Sequence, residues 1–248
     1  MTAKRPAVRL FCLPYAGGGA SVYRKWCGRL GNGIQVCPVQ LAGREEQRHL
    51  PHCGTVERQC ADAADAVMQN AGGCDDLVLF GHSMGAKIAY ETAKLLERRG
   101  VFLRGVIVSG SPAPDIPEKA DPEAMTDPAL GSYLRTLGGI PAEIMQDASL
   151  LAMLLPLFRA DLAMMRRYCD CSGTKLHCPV YALGGTDDPE ASRADVLRWR
   201  HYTGSGFGSR FLPGGHFYLF ENEAEIHALL REIIRGFLNE SKHGEENS

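Results

Sequence analysis

The stretch Leu77-Val-Leu-Phe-Gly81-His82-Ser83-Met84-Gly85-Ala-Lys-Ile runs from an apolar, strand-like segment through Gly-x-Ser-x-Gly into a helix-compatible one. A serine at such a reversal sits on a strained backbone above the end of its strand, where its hydroxyl can attack a carbonyl carbon. Gly81 and Gly85 have a steric reason, because side chains there would collide in so tight a turn. The following helix directs its dipole and free N–H groups at the same point, which favours developing negative charge. A bare pentapeptide of this type also falls in ordinary loops. The strand before it and the helix after it make Ser83 the candidate nucleophile.

A serine hydroxyl is weakly nucleophilic at neutral pH and needs an imidazole to accept its proton, and the imidazole needs a carboxylate to fix its tautomer and stabilise its cation. Both types follow in the chain, each after a strand-like run: Pro179-Val-Tyr-Ala-Leu-Gly-Gly185-Thr-Asp187-Asp188-Pro189, then Arg210-Phe-Leu-Pro-Gly214-Gly215-His216. His216 is the candidate base, its glycine turn allowing it to reach over Ser83. Asp188 is favoured over Asp187 because it ends a Gly-x-x-Asp pattern from Gly185 and directly precedes Pro189, a residue suited to the first turn of a helix. Asp187 offers the same chemistry or a turn-forming role. His82 is set aside: neighbours around such a turn point in different directions, and the usual order is serine, acid, histidine. His49 and His52 lie in a polar loop, His201 and His227 on helix-like segments and His243 in the tail, all weaker contexts.

The first strand-like run ends in Leu13-Pro14-Tyr15-Ala16-Gly17-Gly18-Gly19. It stands where a backbone N–H would meet the oxyanion of a tetrahedral intermediate, so the amides of Ala16 and Met84 are the expected donors, each worth about 3 kcal/mol of transition-state stabilisation. As a phosphate cradle this loop lacks both the lysine of a P-loop and the dinucleotide spacing.

Elements to position these groups are legible. Apolar, β-branched runs at Val8 to Leu13, Ile34 to Val39, Leu77 to Gly81, Gly105 to Ser109, Pro179 to Leu183 and Arg210 to Leu212 read as buried parallel strands. Helical spacing marks Ser21 to Leu30, Thr55 to Ala71, Ala86 to Arg99, Pro189 to His201 and Glu223 to Leu238. Such alternation predicts an α/β protein with a mostly parallel, doubly wound sheet. It stops between Pro112 and His177, where Leu, Met, Ala and Pro dominate, predicting a helical insertion over residues 112–177 within a single domain, 1–248. Its methionines (Met125, Met145, Met153, Met164 and Met165) suit either a small helical core or a lid that adapts to varied apolar groups. The polar end from Asn239 to Ser248 reads as frayed.

The 248 residues suit one large core. A formal charge of −2 gives no overall basic field, so neither nucleic acid nor an anionic membrane surface is an expected partner. The apolar run after Lys4 and Arg5 ends at Pro14, too soon for a signal peptide or a span, and the expected location is the cytoplasm. Nine cysteines, an odd number in a chain of this size, argue for free thiols over a disulfide framework. Cys169, Cys171, His177 and Cys178 cluster, but not with the paired spacing of a structural zinc site; no metal or cofactor is expected.

Taken together, the chain resembles the type II thioesterases that accompany polyketide and nonribosomal peptide synthases, and more distantly the medium-chain thioesterase of animal fatty acid synthesis, all of the α/β-hydrolase fold. The likeness spans nearly its whole length and rests on Phe11-Cys-Leu-Pro-Tyr-Ala-Gly-Gly, Val39-Gln-Leu-Ala-Gly-Arg-Glu, Gly81-His-Ser-Met-Gly-Ala, Gly185-Thr-Asp-Asp-Pro and Gly214-Gly-His-Phe-Tyr-Leu. It implies a triad of Ser83, Asp188 and His216, oxyanion amides from Ala16 and Met84, a helical lid, and acyl groups on the phosphopantetheine arm of an acyl or peptidyl carrier protein as substrate. Ala42 departs from the proline typical before Gly-Arg, and Arg44 is either a solvated cation or a packing and carrier-contact residue. Two other readings use the same residues: a carboxylesterase or lipase acting on oxygen esters, and a module that binds acylated carriers without turnover.

Overall fold

Apolar and branched side chains fill both faces of one parallel sheet. The computed structural model describes residues 8–74, 76–140 and 142–245; Lys4, Arg5 and the last three residues of the tail lie outside them. Strands β1 (Val8–Leu13), β2 (Ile34–Pro38), β3 (Leu77–His82), β4 (Gly105–Ser109), β5 (Val180–Gly185) and β6 (Phe207–Leu212) pair in the order β2-β1-β3-β4-β5-β6, all parallel. Alternation splits the core in two. Phe11, Leu13, Leu77, Leu79, Val106 and Val108 face α2 (Val56–Asn70) and α3 (Met84–Arg98), while Leu10, Cys12, Val78, Phe80 and Ile107 pack with Trp26, Ile226, Leu230 and Ile234 on the other side. The chain thus has the fold of an α/β-hydrolase.

The register sets Leu13 beside Gly81, His82 beside Ser109 and Gly185 beside Leu212. The carboxyl ends of β1, β3, β4, β5 and β6 therefore share one rim, where open parallel sheets bind their ligands.

Between β4 and β5 stand α4 (Asp127–Leu137), α5 (Ala142–Gln146) and α6 (Ala148–Arg166). Leu130, Leu134, Leu155 and Phe158 form a small core of their own there. The 19 residues of α6, with a hydropathy of 1.6, have the length and composition of a membrane span. In this fold its face of Phe158, Asp161, Leu162 and Met165, at helical spacing, turns inward, with Phe158, Asp161 and Met165 buried and Leu162 half-buried. Leu150, in the first turn of α6, and Met153 are exposed.

Several boundaries differ from the sequence pattern. The helix expected over residues 21–30 is regular only in α1 (Ser21–Arg24) before breaking into turns. Pro189 does not open a helix: α7 (Arg193–Leu197) begins later, capped by Ser192, whose hydroxyl accepts the Asp195 N–H. The intervening chain is tied down instead by Asp188, which accepts the N–H groups of Glu190 and Ala191. β6 starts at Phe207 because Gly208 and Ser209, poor strand signals alone, pair with Tyr181 and Ala182. After the short α8 (Tyr218–Glu221), α9 (Glu223–Glu245) runs on into the segment expected to fray, since extending an existing helix needs no new nucleus.

Candidate active site

Ser83 joins β3 to α3 with φ 55° and ψ −120°, a positive-φ geometry that a side-chain-bearing residue adopts only where surrounding structure imposes it. The imposed turn is tight: a Cβ at Gly81 would run into the Gly85 carbonyl, and one at Gly85 into the Leu13 carbonyl at the end of β1. Glycine at both positions thus lets Ser83 rise over the rim, with Met84 as the first residue of α3.

His216 reaches Ser83 from the loop after β6. Its Nε2 lies 3.0 Å from Ser83 Oγ, and its Nδ1 lies 3.0 Å from each oxygen of Asp188. His216 is 4% exposed, and the Asp188 side chain is sealed from solvent. Asp187 is exposed and accepts the Thr186 hydroxyl at 2.8 Å instead. Of the two aspartates, only Asp188 faces the imidazole.

His82 is fully buried, its Nδ1 3.0 Å from Ser109 Oγ, which in turn meets the Tyr218 hydroxyl at 2.6 Å. Its ring centroid is 5.1 Å from that of His216. Burial, with the neighbouring His216 adding to it, pushes its pKa well below the usual histidine range. His82 is therefore neutral beside His216 and adds no positive charge against an imidazolium there.

Ala16 and Ser83 line the same cavity, roofed by Tyr133, Leu134, Leu137, Phe158 and Leu162 of the inserted helices and by Ile140 from the connection between α4 and α5. The methionines take other places: Met164 and Met165 are buried in the main core, Met125 packs in the small helical core, and Met153 is 77% exposed. Leucine and aromatic side chains, not flexible thioethers, shape this side of the cavity.

Next to Ala16, the Gly17 N–H donates to Asp161 Oδ2 at 2.7 Å. Arg44, 3% exposed, closes a two-pronged pair on Asp161 at 2.8 Å per contact, and donates to the Gly18 carbonyl at 3.0 Å; His52 Nε2 meets Asp161 Oδ1 at 2.7 Å. Arg44 is thus no solvated cation. Burial pushes the Asp161 carboxyl up, but the His52 hydrogen bond and the Arg44 charge outweigh it and hold the carboxyl below the usual range. The sequence marks Asp161 only as a lone acid in the apolar run from Leu150 to Met165, and His52 only as a histidine in a polar loop.

Cys12, Cys60 and Cys178 are buried. Cys169 and Cys171 place their sulfurs 3.6 Å apart, while His177 Nδ1 pairs with Glu97 at 3.0 Å, so the cluster does not converge on one point.

The thioesterase domain family matches residues 8–236. The chain belongs to that family. It is 38% identical over 225 residues to Thioesterase PikA5 of Streptomyces venezuelae, covering 90% of this chain and 80% of that one. Among solved structures, the RedJ thioesterase from the prodiginine pathway of Streptomyces coelicolor superposes with a TM-score of 0.86 at 37% identity, covering 94% of each chain. The type II thioesterase BorB from the borrelidin biosynthetic cluster gives 0.84 at 32% identity, over 94% and 95% of the two chains. This thioesterase is accordingly a serine-dependent hydrolase of thioesters.

Proposed function

We propose that this thioesterase removes acyl groups from the phosphopantetheine arm of acyl or peptidyl carrier proteins, as a cytoplasmic editing enzyme of the type II class serving polyketide or nonribosomal peptide assembly. The observation that carries the reading is the continuous hydrogen-bonded series Ser83–His216–Asp188, opening into an apolar cavity. Ser83 Oγ attacks the thioester carbonyl while His216 Nε2 takes its proton, and Asp188 holds Nδ1–H and stabilises the imidazolium. The amides of Ala16 and Met84 receive the oxyanion. A thiol of pKa about 8.5 leaves readily, with less need than an amine for a proton in the act, and the departing sulfur takes the proton from His216, which returns to its neutral form. Water activated by His216 then cleaves the acyl-enzyme and restores Ser83. Tyr133, Leu134 and Leu162 of the inserted helices, acting as a lid over residues 112–177, take the acyl chain.

The test is intact-protein mass spectrometry of a panel of acyl-loaded carrier proteins after incubation with the enzyme. Loss of the acyl mass is expected with the native protein and none above background with Ser83→Ala. Hydrolysis of small oxygen esters with every acyl carrier left intact would assign the protein to the esterases. Carrier binding with no fluorophosphonate adduct on Ser83 would make it a non-catalytic module.

A further inference from the structure

The buried ion pair behind the glycine loop has a geometry that stability alone does not call for. Asp161 is fully buried on α6, and both its oxygens are committed: Oδ2 accepts from Gly17 N and Arg44 Nη1, Oδ1 from Arg44 Nη2 and His52 Nε2. Arg44 spends a further donor on the Gly18 carbonyl. The two residues that follow Ala16 are thus held through their own backbone polar groups, one by each member of the pair. Tyr15, on the other side of Ala16, closes the same turn by accepting the Gly18 N–H at 2.9 Å. Gly17 has a φ of 74°, and a Cβ there would run into the Phe158 ring, one helical turn before Asp161. α6 therefore presses on the loop with Phe158 and tethers it with Asp161.

Buried ion pairs of this kind are commonly replaceable by apolar residues of similar volume without loss of stability, because desolvation cancels most of the attraction. What an apolar pair cannot do is accept the Gly17 N–H or donate to the Gly18 carbonyl. A loop with three glycines in succession, Gly17 to Gly19, has little intrinsic preference for one backbone conformation. An oxyanion donor contributes only when it already points at the position the charge will occupy.

We infer that Asp161, oriented by Arg44, is a positioning residue that fixes the Ala16 N–H toward the oxyanion and so couples the seating of α6 to catalysis. The inference rests on the reading of Ala16 as an oxyanion donor. Asp161 touches neither substrate nor the reacting atoms; it acts through Gly17. Its loss should accordingly weaken the transition state and leave ground-state binding in the apolar cavity alone, a fall in kcat at constant KM.

Two variants test this: Asp161→Asn, and the volume-matched double variant Arg44→Met with Asp161→Leu, which leaves no unpaired buried charge and should stay folded where the single variant fails. For both, kcat and KM on an acyl-loaded carrier are measured beside the rate of fluorophosphonate labelling of Ser83, whose phosphoryl oxygen occupies the oxyanion position. Expected in the folded variants is a roughly 10- to 100-fold fall in kcat, less than outright loss of a donor costs, with KM within about twofold and labelling slowed in parallel. A folded variant of either kind with native kcat and labelling rate overturns the inference, as does a rise in KM at constant kcat. A double variant that does not fold would also overturn it, since the pair would then be structural. If the native protein neither clears acyl carriers nor takes the label, the triad reading itself fails and this inference with it; an active native enzyme beside an equally active variant sinks the role of Asp161 alone.

Discussion

Asp187 and Asp188 are adjacent, chemically identical and placed in different surroundings by the direction in which a turn points them. Asp188 accepts two backbone N–H groups from Glu190 and Ala191 and presents both oxygens to His216 Nδ1 at 3.0 Å, whereas Asp187 turns to solvent and the Thr186 hydroxyl. Removing the charge from Asp188 leaves His216 without a partner for its cation and free to take the wrong tautomer. Asp188→Asn is expected to lower kcat by about 10⁴-fold, the scale of this change in other serine triads. Asp187→Asn should stay within about threefold, as for a surface change away from the reacting groups. Steady-state kinetics on one acyl carrier checks both, and the reverse ranking would exchange the two residues. His82 teaches a related lesson. Its position beside Ser83 in sequence suggests a base, yet the turn that raises Ser83 over the rim drives the His82 ring inward onto Ser109, where burial keeps it uncharged.

At the scale of elements, α6 does three things from one inward face: Phe158 and Leu162 shape the cavity, Asp161 tethers the glycine loop, and Met165 anchors the helix in the main core. Leu162→Ala and Ile140→Ala each open the cavity roof without touching the tether. Each should shift preference toward longer or bulkier acyl chains, by roughly tenfold in the ratio of kcat/KM values across a few methylenes, given what one methylene is worth in an apolar pocket. Kinetics on carriers loaded with a graded series of acyl chains measures this, and an unchanged profile would take the inserted helices out of the substrate site. The strands around the nucleophile were legible in the sequence because each is an unbroken β-branched or leucine run, buried on both faces, and Thr55 to Ala71 marked its helix to within its caps. β6 was only half legible, its Gly208 and Ser209 being strand residues by pairing and not by propensity. Ser83, Asp188 and His216 stood out because each follows a strand with its own glycine turn, a local signal. Asp161 and Arg44 lie 117 positions apart and carry no such signal; only the packing of α6 on the loop after β2 makes them a pair.

The whole molecule buries titratable groups whose protonation differs between folded and unfolded chains, and the sign of the resulting pH dependence follows from the directions of their shifts. The pKa of His82 is held well below the usual 6.5 in the fold, chiefly by burial and then by His216. In the unfolded chain it takes up a proton as pH falls through about 6.5, while in the folded protein it remains neutral; the unfolded state then binds more protons, and acidification favours it. Where pH lies between the two pKa values, this one group costs the fold about 1.4 kcal/mol per pH unit. Asp161, with a carboxyl lowered from 3.8, contributes stability that is complete above that value and is lost as pH falls through its folded pKa, so the two groups act in the same direction but in successive windows. Urea denaturation at pH 7.5, 6.5 and 5.5 should show a plateau between the first two and a decline at the third. His82→Asn, which keeps a polar group within reach of Ser109, should lessen that decline, leaving in place the part due to His227, whose pKa burial also lowers, and the acid loss tied to Asp161. A native protein that gains stability between pH 6.5 and 5.5, or a decline equally steep in His82→Asn, would show that His82 is not the group that sets it.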